Sequence, residues 1–191
     1  MKTHTRLFTV SAVLLALAGW FLTGSGSGKA ADDKDPREGV LKLADMIEKK
    51  DGGVKKQAEA IAKDADIEDV MHLMALRSKK GVGIGGKPGA IAPDGIEAKI
   101  GALGKKALPA KDAAAQAKDL ERAAYIAAAI AQVAQSKLPD KNAKQWQGFA
   151  EDMHKGALDL AKAAKAKNAD DIKAAATKLE GACNACHEKF R

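Results

Sequence analysis

Along most of the chain the apolar positions step by three and four residues, and nowhere do they alternate with period two over a β-branched stretch. The sequence therefore predicts helices and no sheet. The pattern is most regular from residue 111 onward. Leu120, Ala123, Ala127, Ile130 and Ala134 share one face of a helix expected over about residues 111–136. Pro139 closes the connection, and Asp140 is the expected N-cap of the next helix, whose seam runs through Trp146, Phe149, Met153, Ala157, Leu160 and Ala164. Asn168, followed three residues later by Asp171, resembles a capping box with Asp in place of Glu or Gln. It opens a last helix with the seam Ile172, Ala176, Leu179, Cys183, Cys186 and Phe190. The short connections after Lys137 and Lys167 make these three helices antiparallel neighbours.

Upstream the pattern is more broken. Residues 32–65 hold two short helical stretches separated by Asp51-Gly52-Gly53, one over Val40, Leu41, Leu43, Ala44 and Ile47, the other over Val54, Ala58, Ile61 and Ala62. They are expected to form a helical extension packed on the main domain. Asp66-Ile67-Glu68-Asp69 reads as a helix start, with an N-cap and acids in the first turn. The helix is expected to continue through Arg77, with Ile67, Val70, Met71 and Met74 on one face and His72 turned away from it. With the last three helices it completes an antiparallel four-helix bundle over residues 66–191. The glycine-rich residues 81–104 are expected to be a long loop with a short helical piece near Gly95–Leu103. A Walker loop is excluded because Gly86-Lys87 is followed by Pro88, and a dinucleotide site lacks its preceding strand.

Residues 1–31 have the pattern of an export signal: Lys2 and Arg6, an apolar run from Leu7 to Leu22, then the small-x-small site Gly28-Lys29-Ala30. The run is short for a membrane span, which needs about 20 residues; an uncleaved anchor is the alternative. Removal of this segment takes the formal charge from +7 to +4 through loss of Lys2, Arg6 and Lys29. Lysines and acids are interspersed along the helices, which indicates a solvated, mildly basic surface and no nucleic-acid patch.

The chain's only two cysteines stand near its end, in Cys183-Asn184-Ala185-Cys186-His187. This spacing is that of a covalent haem attachment site. Two thiols one helical turn apart reach two vinyl groups on one porphyrin edge, and the next residue offers an imidazole to the iron. At i, i+3 and i+4 the three side chains leave one helix face. A thioredoxin-type pair belongs at a helix N-terminus, a structural zinc site needs four ligands, and a plain disulfide needs no histidine. The remaining histidines, His4, His72 and His154, are scattered, and His154 beside Met153 reads as a surface residue. Aromatic residues are only 4% of the chain, and a flat apolar cofactor would fill a core poor in large side chains. Both cysteines occupy seam positions, so the haem is expected inside the bundle. Thioether attachment after export agrees with the signal segment and indicates a periplasmic protein.

The segment from Trp146 to Arg191 resembles the last two helices of class II c-type cytochromes, the cytochrome c′ group. Cys183-x-x-Cys186-His187-x-x-Phe190-Arg191 at the end of a bundle carries the likeness. The resemblance covers about residues 66–191, strongly over the last 46; the helix expected over residues 111–136 fits the family's second helix in pattern only, and residues 32–65 and the glycine-rich loop depart from the family. The resemblance implies one haem c held by thioethers from Cys183 and Cys186, proximal ligation by His187, and Arg191 as a basic neighbour of that histidine. Members of the family either leave the sixth iron position empty or fill it with a methionine from the first helix. Met71 is the first candidate for that ligand, with His72 and Met74 behind it. The expected function is one-electron transfer without turnover of a substrate, so the chain is not expected to be an enzyme. The expected partner is a redox protein, with an acidic one favoured, and pairing as a homodimer through the first two helices is open. Binding of nitric oxide or carbon monoxide at an open distal site is the alternative. A peroxidase-like activity ranks below both, because no distal His/Arg pair can be recognised.

Overall fold

The computed structural model describes residues 35–191; the export segment read over residues 1–31 lies outside the described residues. Among the described residues the chain forms α1 (Arg37–Glu48), α2 (Val54–Asp64), α3 (Ile67–His72), α4 (Ile96–Lys105), α5 (Ala110–Ser136), α6 (Ala143–Ala166) and α7 (Ala169–Phe190), with a 3-10 turn at Arg77–Lys79 and no strand. The all-helical class expected from the periodicity is what is found. No helix among the described residues is long and apolar enough to cross a membrane.

The long helix α5 is the centre of the packing. It lies against α6 along much of its length and also carries α1, α2 and α3, while α6 and α4 both pack on α7. Ala127, Ala128, Ala129, Ile130 and Ala131 are each 0% exposed. Five consecutive residues at about 100° per step point to every side of a helix, so this part of α5 has no solvent face. Alanine suits such a position because it lets neighbours approach from all sides without loss of helix propensity. Arg122 fastens α1 to α5 by donating to the Leu41 carbonyl (3.1 Å) and pairing with Asp45. Lys137, at the other end of α5, donates to the Ala65 carbonyl and pairs with Asp66 (3.5 Å), which anchors the junction of α2 and α3.

The last helix starts as the sequence indicates. The Asn168 side-chain oxygen accepts from the N–H groups of Asp170 (3.1 Å) and Asp171 (3.2 Å). The reciprocal half of a capping box is replaced: the Asn168 N–H donates to the Ala163 carbonyl (3.3 Å) at the end of α6. The start of α6 is later than expected. Asp140 does not cap it; Asn142 does the turning, in the left-handed region (φ 59°) that Asn tolerates, and the helix begins at Ala143.

Two upstream expectations need correction. The helix after Asp66 does not run through Arg77 but ends at His72. Beyond it Leu76 pairs with Gly95 as an isolated antiparallel bridge, and the Arg77 N–H donates to the Asp94 carbonyl (2.9 Å), so the backbone there bonds to the glycine-rich segment and not to its own helix. The helix beside α7, other than α6, is α4 and not α3. The expected short helical piece near Gly95–Leu103 is thus a full packing element. Its Gly101 and Gly104 lie against α7, where added Cβ atoms would meet the Glu180 carboxylate at 3.2 and 2.7 Å.

Candidate cofactor site at the end of α7

The seam of α7 changes character along its length. Ile172, Ala176 and Leu179 are each 0% exposed, each of the larger two contributing roughly 1.5–3 kcal/mol by burial. One turn further the same stripe opens, and Cys183, Cys186, His187 and Phe190 are all only half-buried. The opening coincides with the first turns of α6, which run antiparallel to it. There the Phe190 ring meets Trp146 edge-on (centroids 5.1 Å apart, 88°) and Phe149 similarly (6.3 Å, 83°). The Trp146 indole N–H donates to the Ala134 carbonyl (2.7 Å). An aromatic corner therefore joins the ends of α5, α6 and α7 beside the two cysteines.

Both cysteines are free thiols, and Cys183 packs on the edge of the hydrophobic core. Burial pushes the Cys183 thiol up to about 11, and the nearby Glu97 carboxylate at the start of α4 adds to the effect. Burial raises Cys186 as well. A redox-active C-x-x-C needs the opposite: a lowered thiol pKa at a helix N-terminus. Here the pair stands near the carbonyl end of a 22-residue helix, where the dipole disfavours a thiolate. Among the described residues no three His, Cys, Asp or Glu side chains converge to hold a metal ion. Arg191 is exposed, and its N–H donates to the His187 carbonyl (3.1 Å), closing the last turn.

The three distal candidates lie on or just beyond the short α3. Met71 is half-buried against the core, and Met74 is 5% exposed. His72 is exposed, with its ring Nε2 2.6 Å from the Lys79 carbonyl, and it lines a surface hollow with Asp35, Arg37, Asp69 and Lys80. Its ring is thus engaged away from the motif. α3 begins where Lys137 of α5 holds Ala65, and the Met74 carbonyl accepts from the Glu97 N–H (3.0 Å). The methionine segment accordingly spans from the last turn of α5 to the start of α4, and both of these reach the cysteine end of α7.

Several site residues escaped the reading of the sequence. Glu97 was hidden in the glycine-rich stretch, as was the role of α4. His154 is not a surface residue: it is half-buried on α6, its Nε2 has no hydrogen-bond partner among the described residues, and burial holds its pKa below the usual histidine range, with Glu151 acting in the opposite direction. The signal was present, since Ala150 and Ala161, four residues before it and seven after, are buried on the same face.

The residues at the end of α7 fit a c-type haem by the chemistry of their donor set: two neutral thiols one turn apart, an imidazole at the next position, and an apolar stripe left half-open beside an aromatic corner. No protein-family profile, curated protein or solved structure matches the chain.

Proposed function

We propose that the protein is a periplasmic monohaem c-type cytochrome that carries single electrons to or from a redox partner. The observation that carries this reading is the α7 stripe, buried through Leu179 and half-open at Cys183, Cys186 and His187. Cys183 and Cys186 would hold the haem through two thioethers, and His187 would ligate its iron. When bound, the haem would supply an Fe(III)/Fe(II) couple. Trp146, Phe149 and Phe190 would keep water from one side of the site, since burial is one of the protein's levers on a haem potential. Met71 and Met74 are the distal ligands on offer. The Lys79 carbonyl already engages the ring of His72.

A second reading rests on the shortness of α3. It packs on α5, whereas α7 is packed by α6 and α4, which favours a distal side without a protein ligand, where nitric oxide or carbon monoxide would bind.

The visible spectrum of the purified, dithionite-reduced protein, recorded before and after carbon monoxide, tests both readings. A sharp low-spin spectrum indifferent to carbon monoxide supports the carrier, and a broad one that shifts supports gas binding. A chain expressed with its export signal and a haem-attachment system that emerges without covalently bound haem would refute both.

A further inference from the structure

The stretch leaving α3 is held by more bonds than a surface connection of its length needs. The Arg77 guanidinium pairs with Asp94 (Nε to Oδ2, 3.1 Å) and donates to the carbonyls of Gly85 (2.9 Å) and Ile84 (3.3 Å). The Asp94 carboxylate in turn accepts from the N–H groups of Ile84 (2.9 Å) and Gly89 (3.3 Å). Around this pair the Arg77 N–H donates to the Asp94 carbonyl (2.9 Å), the Val82 N–H to Leu73 (2.9 Å) and the Glu97 N–H to Met74 (3.0 Å). Three glycines make the close approach possible. A Cβ on Gly81 would stand 1.9 Å from the Ala75 carbonyl oxygen, one on Gly95 2.8 Å from Leu76 Cα, and one on Gly83 (φ +72°) 2.4 Å from the Arg77 guanidinium. Most of these bonds end on one short segment, Leu73 to Arg77, the exit of the helix bearing Met71, and the Asp94 bonds to Ile84 and Gly89 hold the loop that this segment meets.

We propose that Arg77 and Asp94 are a positioning pair that fixes Met71 and Met74 at the cofactor end of the bundle, so that the distal side of the haem stays closed. The inference rests on the haem reading above. α3 has only six residues, too few to hold its own geometry, so its methionines depend on what grips its two ends. Lys137 grips the first through Ala65 and Asp66. The Arg77–Asp94 pair grips the second, and the Glu97 N–H bond to the Met74 carbonyl ties that end to the start of α4, which packs on α7. Loosening the pair would raise the fraction of molecules with an open distal side, and an external ligand binds in proportion to that fraction.

The test compares the wild-type holoprotein with Arg77→Met and Asp94→Asn. The readouts are spin state, carbon monoxide binding to the ferrous protein, covalently retained haem by mass, and helix content by circular dichroism. The expected result is a shift toward high spin and a rise of about tenfold or more in carbon monoxide affinity, with haem retention and helix content unchanged. Asp94→Asn keeps the shape and one acceptor, so its effect should be the smaller, and it carries the test if Arg77→Met does not fold. Variants that melt at lower temperature yet keep the wild-type spectrum and carbon monoxide response would overturn the proposal, as would a wild type that already takes carbon monoxide freely. A wild type without covalent haem would show a different failure, that of the haem reading itself.

Discussion

Gly156 of α6 lies so close to Leu179 of α7 that a Cβ added to it would stand 3.1 Å from the Leu179 Cα. Contact of this kind, between one backbone and another, sets the distance between two helices. It also brings Trp146 and Phe149 within reach of Phe190, two to three turns away on the same pair of helices. Gly156→Leu should therefore destabilise the protein by about 1–3 kcal/mol through overpacking. Gly148, on the same helix with nothing within 4 Å of an added Cβ, provides the contrast. Gly148→Ala should stabilise by up to about 1 kcal/mol through helix propensity alone. Urea unfolding followed by circular dichroism separates the two, and equal effects would refute the tight crossing.

The thiols provide a second check, on the chain before any cofactor is attached. Because Cys183 is pushed up to about 11, the haem-free protein should alkylate slowly with iodoacetamide near pH 8 and faster as pH rises toward that value. Cys183, packed on the core, should lag behind Cys186. The same shift has a consequence for stability. The folded state keeps the Cys183 proton that the unfolded chain releases near its ordinary value of 9.0. This contribution is therefore complete below about pH 9 and fades as pH rises through 11. Mass spectrometry of peptides labelled at several pH values would show it; rapid labelling of Cys183 at pH 8 would contradict the buried, neutral thiol.

His154 should make the protein sensitive to acid. Its pKa is lowered in the folded state chiefly by burial, so the unfolded chain takes up a proton first as pH falls below the ordinary histidine value of 6.5. Stability is full above that value and is lost as pH falls through the folded one. His154→Leu should remove this part of the pH dependence and leave the variant more stable than wild type at pH 5. Parallel unfolding curves at pH 7 and pH 5 test it, and an unchanged pH dependence in the variant would exclude His154 as the source.

The repeating seams of α5, α6 and α7 made these helices legible, because each repeats apolar residues at steps of three and four with few residues that break the pattern. The cap at Asn168 was legible for the same local reason. What could not be read was any feature that depends on two distant segments meeting. Gly101 and Gly104 stand in and just past a helical piece that the sequence shows only as a short interruption of a loop, yet they are where α4 closes on Thr177 and Glu180 of α7. Met74 followed the pattern of a longer helix, but Leu76 and Arg77 found partners at Gly95 and Asp94 and the helix stopped. The cysteines and His187 were visible as a motif from spacing alone. Their half-open setting depends on where α6 begins, and three residues after Pro139 decided that.

The enclosure of α5 bears on how the protein tolerates change. A helix with one wet side can turn slightly about its axis and let a larger residue swing outward. The stretch Ala127–Ala131 has no such side, so added bulk must displace α1, α6 or another neighbour, whichever way it points. Because the stretch is already 0% exposed within one chain, it is also closed to a second molecule. Any assembly between copies would have to use another surface.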